Sequence, residues 1–208
     1  STTYEMYRHD YSVNRLTPNT SATGLYKANY YVMNSDYRVY ECLYNGADPA
    51  NGGKGVISLQ EPVHTDLQPR LESDGYIWKY LYTIKPSNIV KFDSAEFIPL
   101  SSDWSISTDT ADVRNTAVDG RIEVIVIEDV TNASYQFTGT KNNVPIKGDG
   151  AGGMASVTFV NGKPTAVQVT NGGTGYSFAT LDLDSVVTGS GASFTVIIPP
   201  PGGHGADI

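Results

Sequence analysis

The chain has little cysteine, little charge and no long apolar run, and each shortage removes a class of function. Cys42 is the only cysteine among 208 residues, so neither an intrachain disulfide nor a cysteine-based metal site can form. It lies in RVYECLY, where a buried small hydrophobe is the simplest role. Charged residues make up only 17%, and 22 acidic against 14 basic side chains leave a formal charge of −8. That field repels nucleic-acid phosphate and anionic lipid, and no Lys/Arg cluster offsets it locally. Neither nucleic acid nor membrane is therefore expected as a partner. The longest apolar run, IEVIVI at 122–127, contains Glu123. It falls far short of the ~20 residues that a membrane-spanning helix needs. No charged-then-apolar N-terminal layout marks a signal peptide, so synthesis in a cytoplasm is expected. The chain begins at Ser1 without methionine, which suggests an excerpt of a longer polypeptide.

Tyrosine (14) and glycine (21) are abundant, and both favour strands and turns over helices. The expected fold is mainly β: an antiparallel β-sandwich-like core with few short helices, plus a smaller β domain built from a two-copy hairpin repeat. Composition places a tyrosine-rich domain at 1–116, a glycine-rich domain at 117–198 and a flexible tail at 199–208. The tail's PPPGGHGADI cannot form a ladder.

In the first part, residues 1–23 read as extended. KANYYVM and YRVYECLY read as strands separated by Asn34-Ser35-Asp36, and NGADPANGGKG at 45–55 reads as a loop. EPVHTDLQPRLES is irregular. KPSNIVKFDSAEF holds the one expected helix, with Pro86 in its first turn, and IPLSSDWSISTDT returns to loop or edge strand. Between them, DGYIWKYLYTI places Tyr76, Trp78, Tyr80, Tyr82 and Ile84 at alternate positions, which puts them on one face of a strand. With Tyr40 they form a candidate aromatic layer. Such a layer can be sheet packing, a stacking platform for sugars, or a subunit interface.

The second part repeats itself. VDGRIEVIVIEDV (118–130) aligns with VNGKPTAVQVTNG (160–172), Tyr135-x-Phe137 with Tyr176-x-Phe178, and GDGAGGMASVTF with GSGASFTV, at an offset of 41–42 residues. Each copy opens with an Asp-Gly or Asn-Gly hairpin signal.

No catalytic constellation is legible. GDGAGG contains the letters of a phosphate-cradling loop, but the β-like MASVTFV follows it where a helix should, so hairpin glycines at positive φ explain it better. His9, His64 and His204 lack partners at metal spacing and read as surface or hydrogen-bonded residues. Asp182-x-Asp184 lacks the further oxygen ligands of a calcium loop and reads as solvated strand charge. No Gly-x-Ser-x-Gly elbow is present. Neither catalytic residues, metal nor cofactor is expected.

The order YRVYECLYNG, a Gly/Asn/Pro loop, Glu61-Pro62, DGYIWKYLYTI and EFIPL resembles the central part of the baseplate wedge subunit of T4-like contractile-tailed bacteriophages, the gene-product-eight type. Val39, Tyr40, Cys42 and Leu43 match that family's first strand element. Asp74, Gly75, Tyr76, Trp78, Tyr80 and Leu81 match its second, and coverage is best over 37–100. The repeat at 118–196 departs from the family's C-terminal part. The resemblance implies a β-rich structural virion protein of the tail baseplate that forms a homodimer, contacts other wedge subunits and performs no catalysis. The alternative from another class is a glycan-binding tail-fibre or adhesin-type module that uses the aromatic face.

Overall fold

The computed structural model describes residues 2–9, 28–47, 55–92, 94, 97–101 and 108–208. Residues 10–27, loop residues 48–54, part of DSAEF and residues 102–107 lie outside them. The fold is mainly β, with 41% strand, 8% helix and several antiparallel sheets.

β-branched and aromatic side chains form the first sheet: β1 (Tyr31–Met33), β2 (Arg38–Asn45), β3 (Arg70–Leu71) and β4 (Tyr76–Thr83), in the order β1-β2-β4-β3. Asn34 makes the β1–β2 turn by accepting the Asp36 and Arg38 N–H groups on its side-chain oxygen. Helix α1 (Pro86–Phe92) follows β4 and does begin at Pro86. A second helix, α2 (Thr108–Thr116), stands where a loop or edge strand ending near 110 was expected. TDTADVRNT carries no apolar period, so nothing in the sequence marks it. Its burial rests on Thr110 and Val113.

The glycine-rich part supplies β5 (Val124–Asp129), β6 (Ser134–Tyr135), β7 (Gly139–Gly148), β8 (Met154–Val160), β9 (Lys163–Asn171), β10 (Ala179–Leu181), β11 (Gly189–Ser190) and β12 (Ser193–Ile197). Four of these form a sheet in the order β10-β7-β8-β9, while β11 pairs with β6 and β12 with β5. Asn161 and Gly162, both at positive φ, make the two-residue turn of the β8–β9 hairpin. Asp119-Gly120 forms no hairpin; it turns the chain between α2 and β5.

The two repeat copies exchange strands. β8 of the first copy pairs with β9 of the second, and β12 of the second pairs with β5 of the first. Both pairs have the same register shift: Asn171 and Val169 oppose Met154 and Ala155, as Asp129 and Ile127 oppose Ser193 and Phe194. In this frame Val169 stands 42 positions after Ile127, but Phe194 stands only 39 after Ala155. The uniform offset of 41–42 is therefore corrected in the last strand, because the second glycine loop is shorter.

The tyrosines are exchanged in the same way. Tyr135 N–H donates to Gly162 O at 2.9 Å, and Tyr176 N–H donates to Gly120 O at 3.2 Å. A Cβ on Gly162 would lie 2.5 Å from Tyr135 O, and one on Gly150 would lie 2.5 Å from the Tyr176 ring. This revises the reading of GDGAGG. Only Gly152 of its glycines has positive φ; Gly148, Gly150 and Gly153 are small so that Tyr176 and the 178–179 backbone can pack against them. Asp149 fixes the same junction, accepting the Ser177 N–H (2.9 Å), the Ser177 hydroxyl (2.5 Å) and the Phe178 N–H (3.1 Å). Those donors, the hydroxyl foremost, hold its pKa down at about 2.

Two boundary expectations need correction. Val124, Val126 and Ile197 join the same apolar cluster as Tyr40, Tyr76 and Trp78, so a cut at 116/117 does not separate two cores. The tail at 199–208 is not loose. Pro199, Gly203, His204 and Gly205 are buried, and Ile208 packs against the Val39–Leu81–Tyr82–Ile84 cluster. It needs no ladder, because its glycines let the backbone sit against Val113, Val118 and Lys79 where any Cβ would collide.

Gly162→Val forces a branched residue into positive φ against the other copy's backbone. It should cost ~2 kcal/mol or more in urea unfolding, whereas exposed Val160→Ala should stay within ~0.5 kcal/mol. A Gly162→Val protein as stable as the wild type would contradict the exchange.

Candidate interaction surface

The alternation of DGYIWKYLYTI sets three of its rings on one face of β4, and β2 adds Tyr40. Cross-strand pairing puts Tyr40 opposite Tyr80 and Cys42 opposite Trp78. The Tyr76 and Trp78 rings stack at 5.4 Å with 9° between planes, and Tyr4 meets both edge-on at 6.3 and 5.5 Å. Tyr40 contacts Tyr80 at 5.8 Å and His64 at 5.4 Å. Trp78 is 0% exposed, and so are Tyr40 and Tyr76.

The phenol tips reach backbone carbonyls. Tyr76 donates to Val56 O (2.7 Å) while accepting the Tyr4 N–H (3.0 Å), and Tyr40 donates to His64 O (2.8 Å). Burial, the leading cause, pushes both phenols up to about 12. Among the described residues the Trp78 indole N–H has no hydrogen-bond partner, and ring packing holds the side chain. Cys42 is buried beside it, and burial raises its thiol well above the usual range.

Tyr82 and Ile84 depart from the expected single face. Val39 pairs with Tyr82 and Tyr40 with Tyr80, so Leu81 is an extra residue on β4 and the pairing shifts there. Tyr82 consequently joins Val39, Leu81 and Ile84 in a separate cluster, donating its hydroxyl to Pro99 O at 3.1 Å. Tyr40, Tyr76 and Trp78 are each fully buried, so none of the three presents a free ring face on which a sugar could stack.

Behind the sheet lies a group of ionisable residues that strand alternation would have assigned to solvent. Glu41 and Lys79 are cross-strand partners and both are buried. Lys79 Nζ donates to Leu67 O. Its ammonium pKa is lowered, mainly by burial. His204 of the tail brings Nδ1 to 3.7 Å from Glu41 Oε2 and packs edge-on against Tyr7. Glu123 is raised by burial, against opposing pulls from His204, Lys79 and Arg121. Two of the histidines expected to be surface or hydrogen-bonded residues are interior, His204 here and His64 against Tyr40. His9 Nδ1 meets Ile198 O at 3.1 Å. No group of three or more metal-ligating side chains assembles among the described residues. Asp182 bonds Lys147 at 2.5 Å.

The residues that carry the family resemblance also pin a segment at the rim. Asp74 Oδ2 accepts the N–H groups of Leu59 and Gln60, both at 2.9 Å, and the Ser58 hydroxyl at 3.4 Å. Glu61 accepts the Ser35 N–H and hydroxyl, both at 2.8 Å, and these bonds lower its pKa. Pro62 O accepts from Asn34 (2.9 Å) and Val63 O from Arg38 (2.5 Å). The backbone of 58–64 is therefore tied down at almost every residue. It nevertheless turns Ile57, Leu59 and Val63 outward, at 54%, 78% and 56% exposure. A fixed rail of aliphatic side chains thus stands in water; Val90 and Phe97 of the same half are exposed as well.

Comparison with protein-family models, with curated proteins and with solved structures gave no match to the chain.

Trp78→Ala should cost ~3–5 kcal/mol or abolish folding, the penalty for emptying a filled core site. In a Trp104→Phe background, acrylamide should barely quench the remaining emission from Trp78. A folded Trp78→Ala protein of wild-type stability, or a readily quenched indole, would reopen the platform reading.

Proposed function

We propose that this chain is a structural component of a contractile phage tail, of the baseplate wedge kind, that works by binding other protein surfaces and not by catalysis. The observation that carries this reading is the 57–63 rail. Exposed aliphatic side chains on a backbone already held by Asp74, Glu61, Asn34 and Arg38 lose little freedom on docking, so their burial is available to binding. The family-like residues support it, because Asp74, Glu61 and Pro62 build that rail and Tyr40, Tyr76 and Trp78 build the layer beneath it. The partners on this reading are a second copy of the chain and other wedge subunits.

The solution mass tests it. Sedimentation equilibrium should give a dimer of the 22.4 kDa chain. Leu59→Asp should give a folded monomer, since a charge placed in the apolar centre of an interface costs it several kcal/mol, on the order of 2–4. A monomeric wild type, or a Leu59→Asp dimer of unchanged affinity, would remove the rail from the interface.

A further inference from the structure

A trench runs between the β3–β4 edge of the first sheet and the outer edge of β9. Its larger part is a cleft of about 430 Å³, and a second cleft of about 270 Å³ shares Leu71 and Gln168 with it. Along β9 the two extend from Thr165 to Gly172, a reach of roughly 23 Å at strand rise.

The walls of the larger cleft differ in chemistry. One wall is aliphatic: exposed Leu71 forms its rim, and the buried Ile125, Ile127 and Ala47 form its floor. The other carries hydroxyls from Thr140, Ser156, Thr158 and Thr165, with the Gln168 amide at its end. Thr140 and Thr158 are held hydroxyl to hydroxyl at 3.0 Å, and Thr165 donates to Thr158 O at 3.3 Å, so the polar wall is ordered before any ligand arrives. Each hydroxyl keeps an unused lone pair. No charged side chain lines this part, although the chain carries −8 overall. The smaller cleft adds charge of both signs, from Arg121 and Glu123.

We infer that this trench is a binding site for a short uncharged oligosaccharide, with ring C–H faces on the Leu71–Ile125–Ile127 wall and hydroxyls on the Ser156–Thr158–Gln168 wall. An anionic ligand finds no cation in the larger cleft, and a purely apolar one would leave the hydroxyl wall unpaired. A polyhydroxylated ring satisfies both walls. The inference goes beyond the proposed function: none of these residues lies in the 57–63 rail, so saccharide binding and dimerisation are separable.

The test is amide chemical-shift mapping with glucose, galactose, N-acetylglucosamine and their β1,4-linked dimers, each titrated to ~10 mM, where even a weak site of millimolar Kd fills. At least one neutral sugar should produce saturable shifts confined to β5, β7, β8, β9 and the Leu71–Gly75 segment. Ser156→Ala and Gln168→Leu should each weaken that binding roughly three- to tenfold, the worth of one hydrogen bond, with the remaining spectrum unchanged. Absence of saturable shifts for every sugar would overturn the proposal, and so would shifts centred elsewhere. Binding of a threonine-rich extended peptide at β9 in preference to the sugars would also overturn it, by assigning the trench to strand addition.

Discussion

The enclosure of Trp78 is the constraint on which the remaining arrangement depends. Its indole stacks on Tyr76, meets the edge of Tyr4 and lies in one apolar cluster with Val124, Val126 and Ile197. Those contacts come from the N-terminal segment, the middle strands and both ends of the glycine-rich part. The ring is fully buried only while all of them are in place. The same closure accounts for the docked tail, since His204 and Gly205 cover Glu41 and Lys79 on the back of the same strands.

The glycine-rich part is built on a second constraint of the same kind. Neither repeat copy completes its own ladder; each lends a strand and a tyrosine to the other. Glycines at 120, 150, 162 and 189 stand where the partner copy's backbone or ring passes, so they are required by distance even where φ is ordinary. The exchange turns β5 and β12 toward the first sheet, which is how the two compositional halves come to share a core.

Much of this was legible in the sequence, and the losses have physical causes. Strands β2 and β4, the Pro86 helix start and the Asn161-Gly162 hairpin follow from alternation, fixed φ and turn chemistry, which are local. The two-copy repeat was also legible, but its strand exchange was not, because similarity between copies carries no information about which copy pairs with which. Alternation misplaced Tyr82 because a single extra residue, Leu81, shifts the pairing. The burial of Lys79 was not legible, because a lysine opposite a buried glutamate looks no different in sequence from one facing water. The docking of PPPGGHGADI depends wholly on tertiary neighbours. Of the candidate aromatic layer, Tyr40, Tyr76, Trp78 and Tyr80 lie together and Tyr82 lies apart. The rail at 57–63 was missed, since exposed aliphatic residues in an irregular stretch have no period to reveal them.

Differential scanning calorimetry of the intact chain tests most directly whether its halves share one core. The account predicts a single transition whose calorimetric and van't Hoff enthalpies agree, because losing β5 and β12 would open the Trp78 cluster at the same moment. Two separable transitions, with the 117–198 part melting independently of the tyrosine-rich part, would contradict it.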